Sequence, residues 1–134
     1  MAMYMLDTDI CSYLMKNSHE ALNLKIQMVD PRAICVSAIT KSELEYGVAV
    51  SPRPEQDRRR LDHFLQHVTV LDYPSEAAAS YAEIRADLKQ RGCMIGSEDL
   101  LIAAHALSLG IILVSNNVRE YGRVKGLNLE NWAE

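Results

Sequence analysis

Four acidic side chains stand where an apolar run gives way to polar residues. Asp7 follows Met3-Tyr4-Met5-Leu6, Glu43 follows Ile34-Cys35-Val36, Asp99 opens an apolar helical stretch, and Glu120 lies beyond Ile111-Ile112-Leu113-Val114. Carboxylates so distant in sequence meet only through the fold, and several in one place repel unless a cation lies between them. With no imidazole or thiolate paired to them, the donor set is all oxygen, which favours Mg2+ or Mn2+ over Zn2+. Such an ion makes a nucleophile of water, and a pair can clamp the attacking and leaving oxygens of an in-line phosphoryl displacement. Phosphodiester cleavage fits this pattern best.

Each acid alone also has a plain structural reading. Asp7 can cap a helix beginning near Asp9. Thr40-Lys41-Ser42-Glu43 has capping-box spacing, although the helix already starts near Ser37. Asp99, with Glu98, suits the positive end of a helix after Ser97, and Glu120 in a polar loop reads as a solvated group. The functional case is therefore joint. His63 and His67 share a helix face without an H-E-x-x-H context or a third ligand, so they read as a surface pair, and His105 reads as a packing histidine. No G-x-S-x-G, G-x-x-x-x-G-K-[ST] or G-x-G-x-x-G motif occurs.

The elements that must position these acids alternate. Residues 3–6 form an apolar strand candidate, and residues 9–16 and 19–29 read as helices ending at Asp30-Pro31. Residues 34–36 make a second strand. Ser37 caps a helix to about Val50, and residues 53–67 continue as another, with Leu61, Phe64, Leu65 and Val68 on one face. Residues 68–71 form a third strand, residues 75–91 a helix stopped by Gly92, residues 97–109 a buried helix stopped by Gly110, and residues 111–114 the clearest strand. The polar stretch from Ser115 to Glu120 reads as a loop. Short strands separated by helices imply an α/β fold: a mostly parallel sheet flanked by helices, joined by right-handed crossovers, with ligands beyond the carboxyl ends of the strands. Asp7 and the 115–120 loop fall at such ends.

The 134 residues suit one domain, and a 49% hydrophobic composition is enough for a core. No run of about 18 apolar residues offers a membrane span, and Met1-Ala2-Met3-Tyr4 leads straight to a carboxylate instead of a secretory h-region, so the expected location is cytoplasmic. Cys11, Cys35 and Cys93 are odd in number and form no C-x-x-C pair, which favours reduced thiols. The net charge of −4 argues against a surface that coats nucleic acid nonspecifically. Local stretches such as Arg58-Arg59-Arg60 and Arg119 to Lys125 can still meet phosphates or serve as solvated faces.

Five stretches together resemble the PIN-domain ribonucleases, specifically the VapC-type toxins of bacterial toxin–antitoxin modules. They are Met5-Leu6-Asp7-Thr8-Asp9-Ile10, Ser37 through Gly47 around Ser42-Glu43-Leu44, Ile95 through Ala106, Leu113 through Tyr121, and Leu127-Asn128-Leu129-Glu130-Asn131-Trp132. The resemblance implies a single PIN-like three-layer sandwich over residues 1–134 and a Mg2+-dependent endoribonuclease, with Mn2+ as a substitute. Asp7, Glu43 and Asp99 take the family's first three acidic positions; Glu120 is the fourth acid, with Asn117 in an outer position. It further implies a homodimer, a cognate antitoxin whose tail fills the acidic pocket, operator DNA met only through the antitoxin, and tRNA as substrate, commonly in the anticodon region, with translation inhibited as the result. Two departures stand out. Many relatives carry Asn where this chain has Asp9, and an aspartate often stands where this chain has Asn117. Two rival readings remain open: a haloacid-dehalogenase-like phosphohydrolase using Asp7 and Asp9, and a catalytically idle regulator associated with antitoxin and DNA. Against the first stand Cys11 in place of the usual Thr or Val, the lack of a lysine ending a middle strand, and no room for a cap.

Overall fold

In the computed structural model, which describes residues 3–134, five short strands form one parallel sheet. They are β1 Tyr4–Leu6, β2 Ile34–Ser37, β3 Thr69–Leu71, β4 Ile112–Val114 and β5 Leu129–Glu130, in the spatial order β3-β2-β1-β4-β5. Met1 and Ala2, part of the reading for a leader, lie outside the described residues. β1 is central: Met5 stands opposite Cys35 on one side, and Leu6 stands opposite Val114 on the other.

Successive strand residues point to opposite faces, and here both faces are covered. Met5, Cys35 and Leu113 pack into one core, while Leu6, Val36 and Val114 pack into a second beneath the sheet. This double burial explains why the strands read as continuous apolar runs. The first core is closed by α5 Ala77–Arg91 and α6 Ser97–Leu109. Ala103, Ala104 and Ala106 on α6 are fully buried, and their small side chains let neighbouring elements approach closely. The second core is closed by α1 Thr8–Lys16, α2 Glu20–Gln27, α3 Ala38–Ala49 and α4 Pro54–Leu65, through Ile10, Leu22, Leu44, Val48 and Leu61. Fully burying an aliphatic side chain of this size stabilises the fold by about 2 kcal/mol before entropy costs. The result is three layers, helix, sheet and helix.

The helix stops expected at Gly92 and Gly110 are realised at φ 67° and 65°, a left-handed conformation that costs glycine nothing. Ser37 caps α3 by accepting from the Ile39 amide at 3.1 Å. Helix α3 therefore begins at Ala38, which places Glu43 in its second turn and removes the capping-box reading of Thr40 and Glu43. Two further elements correct the sequence reading. The expected loop around Glu120 contains a short helix, α7 Val118–Tyr121, and a fifth strand follows at Leu129–Glu130. A two-residue strand carries no periodicity. It is held instead by backbone bonds from Leu113 to Asn128 at 2.8 Å and from Ser115 to Glu130 at 3.0 Å.

Candidate active site

Asp7 is the first residue beyond β1 and sits between β2 and β4, so its carboxylate emerges at the carboxyl end of the sheet. It is only 4% exposed. One oxygen, Oδ1, accepts from the Ile10 amide at 2.9 Å and caps α1; the other, Oδ2, accepts from the Ser115 hydroxyl at 2.5 Å. The capping reading of Asp7 is thus realised, and it leaves the chemical reading open to the same side chain. Ser115 directly follows β4 and is itself buried, and its hydroxyl oxygen also accepts from the Asn117 amide at 2.9 Å.

Asp99 lies in the first turn of α6, where it accepts from the Tyr121 hydroxyl at 3.0 Å. Glu43 accepts a 2.5 Å bond from the Thr8 hydroxyl, which ties α3 to the start of α1. Glu120, on α7, accepts from the Asn117 side-chain amide at 3.1 Å. Asp9 is exposed on α1.

The acids feel one another. Burial pushes the Asp7 carboxyl up from 3.8 to about 6, and the charges of Asp9 and Asp99 add to this, against the hydrogen bonds from Ser115 and Ile10. Asp99 is also pushed up from 3.8 to about 6, first by burial and then by the adjoining Glu120 and by Glu43, while the Tyr121 hydroxyl opposes the rise. Tyr121 itself is buried and kept protonated by Asp99, Asp7 and Glu43 in addition to its burial, so it acts purely as a donor here. Asp7, Glu43, Asp99 and Glu120 therefore share one electrostatic neighbourhood, with Asp7 and Asp99 deepest.

Among the described residues, no three His, Cys, Asp or Glu side chains already form a closed metal cage. The donor set nevertheless fits a hard divalent cation. Carboxylates whose protons are held chiefly by burial, with neighbouring acids adding to it, gain from a cation among them, and Mg2+ takes only one or two protein carboxylates while water fills the remaining positions. Asp7 and Asp99 can supply those oxygens, with Glu43 beside them and Glu120 and Asn117 further out.

Three contributors escaped the sequence reading: Thr8, Ser115 and Tyr121. A hydroxyl directly after a strand was the available signal for Ser115. Tyr121 had none, because it reaches Asp99 only once α7 has formed. His63 and His67 lie edge to face at 4.8 Å and are exposed, apart from these acids. His105 is buried and bonded to the Ser37 hydroxyl at 2.7 Å, within the packed interior. Cys11, Cys35 and Cys93 are free thiols.

Residues 4–127 match the PIN domain family. The chain is similar to ribonuclease VapC2 of Haemophilus influenzae, at 43% identity over 132 residues that cover 98% of this chain and 99% of the relative. It is similar to the tRNA(fMet)-specific endonuclease VapC of Salmonella typhimurium at 38% identity, covering 98% and 99% of the two chains. In three dimensions it matches the crystal structure of DNA-bound VapBC from Salmonella typhimurium with a TM-score of 0.92 and 37% identity, over 98% of this chain and 99% of that one.

Proposed function

The chain belongs to the PIN-domain family of VapC-type ribonucleases, and from that membership we propose a Mg2+-dependent endoribonuclease toxin that cuts tRNA and so inhibits translation. The observation that supports this reading is the placement of Asp7 and Asp99, which lie at the ends of different elements yet are close enough for the Asp99 charge to add to the rise of the Asp7 carboxyl, among oxygen donors alone. The tRNA reading is supported by the relative from Salmonella typhimurium, which is named for cutting tRNA(fMet). Cleavage in the anticodon region is the finer form of the same proposal.

When bound, Mg2+, or Mn2+ in its place, supplies an acidified water and offsets phosphate charge. Asp7 and Asp99 would hold it, each fixed in orientation by a hydroxyl, Ser115 for Asp7 and Tyr121 for Asp99. Glu43, steadied by Thr8, is placed to hold the ion or to accept a proton from the attacking water. Glu120 and the Asn117 amide form the outer edge, where a substrate or water contact falls.

The partner we propose is a cognate antitoxin, with operator DNA met only through it, because the structural neighbours are VapBC complexes bound to DNA. Leu24 and Met28 near α2, and Tyr46 and Val50 at α3, are exposed apolar residues suited to antitoxin contact or to a homodimer. No helix among the described residues is long and apolar enough to cross a membrane, and the substrate class suits a cytoplasmic location. A phosphohydrolase using Asp7 and Asp9 is disfavoured because Asp9 faces solvent.

The test is incubation of purified protein with tRNA and with a phosphomonoester, in Mg2+ or EDTA, comparing wild type with Asp7→Ala and Asp99→Asn. EDTA-sensitive RNA cleavage lost in both variants is expected, with antitoxin binding retained. Cleavage that survives both substitutions would reject the assignment.

A further inference from the structure

Hydrogen bonds join the elements that carry the acids in pairs. Thr8 ties α1 to Glu43 on α3, Ser115 ties the residue after β4 to Asp7, and Tyr121 ties α7 to Asp99 on α6. The Asn117 amide, donating to Ser115, carries the line on from β4 to α7. These bonds make an open line whose two ends are α3 and α6. Among the described residues, one side-chain hydrogen bond joins α6 to the stretch of β2 and α3: His105 Nδ1 and the Ser37 hydroxyl meet at 2.7 Å across 68 positions of the chain. It closes the line into a ring.

The place of this bond gives it leverage on the acids. Ser37 is also the cap of α3, its hydroxyl oxygen accepting from the Ile39 amide at 3.1 Å. Glu43 lies six positions beyond Ser37 and Asp99 six positions before His105, so each acid stands about 9 Å along its own helix from the tie. The two carboxylates face one another closely enough for the Glu43 charge to add to the rise of the Asp99 carboxyl. Helical segments of this length move as stiff rods, so a shift at the tie reaches both acids.

His105 keeps the bond at a cost to packing. It and Ser37 are fully buried, and the Tyr73 ring packs edge to face against the imidazole at 5.3 Å. Burial holds the imidazole below its ordinary value, so the ring is neutral at pH 7. The other ring nitrogen, Nε2, has no partner among the described residues. An unpaired polar atom in a core is destabilising, and an apolar side chain of similar size would avoid it. The ring therefore does more than fill space.

We propose that His105 is a positioning residue for the acidic centre: its bond to Ser37 locks α6 to α3 and so fixes the separation of Asp99 and Glu43. The proposal rests on the ribonuclease reading above for what those acids do, and adds a residue that acts on them only through the helices they ride on.

Two substitutions separate this role from packing. His105→Leu fills most of the space and removes the unpaired nitrogen, but it lacks the bond. His105→Asn carries its amide on Cγ, as the imidazole carries Nδ1, and so reaches Ser37 while leaving part of the core empty. Melting temperature, Mg2+ affinity by calorimetry and steady-state cleavage of tRNA would be measured for both. Stability and activity should run in opposite orders. His105→Leu should melt above His105→Asn, yet lose about tenfold or more in kcat and about threefold or more in Mg2+ affinity, with KM for tRNA kept within about twofold. A misplacement of about 1 Å can cost on the order of 100-fold, so a loss of this size needs only a small shift. His105→Asn should keep kcat and Mg2+ affinity within about twofold. Activity that follows melting temperature overturns the proposal, as does a folded His105→Leu protein with unchanged kcat and Mg2+ affinity. If either variant does not fold, Ser37→Ala decides by breaking the bond from its other end: kcat should fall about tenfold at unchanged KM, and an unchanged kcat overturns the proposal. Wild type that cuts no RNA overturns the ribonuclease reading, and the Mg2+ affinities of the same variants then decide for His105.

Discussion

The Ser115 hydroxyl donates to Asp7 Oδ2 at 2.5 Å, joining the ends of two adjacent parallel strands across 108 positions of the chain. Ser115 also receives the Asn117 amide, so the strand end, the carboxylate and the following loop form one chain of bonds. Ser115→Ala should leave Asp7 bonded only to Ile10. Outer hydrogen bonds to metal-binding carboxylates are typically worth about 10- to 100-fold in metal affinity. Calorimetric titration with Mg2+ should show a loss in that range, and an unchanged affinity would mean that Asp7 is not the ligand.

Asp7→Asn should abolish cleavage and yet stabilise the metal-free protein at pH 7. The carboxyl is pushed from 3.8 to about 6 chiefly by burial, so folding it in ionised form at neutral pH costs on the order of 3 kcal/mol at most. An amide removes most of that cost. Thermal melts in EDTA should place Asp7→Asn above wild type, by about 1–3 kcal/mol in denaturant titrations.

The same shift sets a pH dependence with a definite sign. Asp7 and Asp99 bind protons more tightly folded than unfolded, so their contribution is fully present below about 3.8 and is lost as pH rises through about 6. Other groups also titrate, so the useful quantity is the difference between Asp7→Asn and wild type in EDTA. That difference should be small near pH 4 and grow toward pH 7. Mg2+ affinity should move oppositely, weakening as pH falls below about 6, because the ligands must lose their protons first.

Two glycine substitutions should act in opposite directions. Gly47→Ala fills open space on a helix and should raise stability by about 0.4–1 kcal/mol. At Gly122 a Cβ would meet the Val118 carbonyl oxygen at 2.6 Å, so Gly122→Ala must displace the end of α7. A loss of about 1–3 kcal/mol is expected. Because Glu120 and Tyr121 ride on α7, cleavage should fall as well, and a fully active Gly122→Ala protein would exclude α7 from the site.

Tyr121→Phe keeps the ring in the core and removes only the donor to Asp99. Weaker Mg2+ binding is expected with little change in melting temperature, measured by calorimetry and circular dichroism on the same preparation.

Much of this arrangement could be read from the sequence because it depends on burial pattern and punctuation. Continuous apolar runs gave the four longer strands, and Ser37, Gly92 and Gly110 marked helix ends through cap chemistry that is local by nature. Asp7 and Asp99 stood out by following or opening such runs. What escaped depends on pairing between distant segments. β5 exists only because Leu113 and Ser115 lend it hydrogen-bond partners, and α7 is a single turn too short for periodicity. The hydroxyls of Thr8, Ser115 and Tyr121 are ordinary polar residues until the sheet order β3-β2-β1-β4-β5 brings each against an acid.

That strand order also governs when the site comes together during synthesis. The middle strand is made first and its neighbour β4 nearly last, so a ribosome partway through translation carries Asp7 without Ser115, Tyr121 or Glu120. The surroundings of the Asp7 carboxylate are therefore assembled only once synthesis is all but complete.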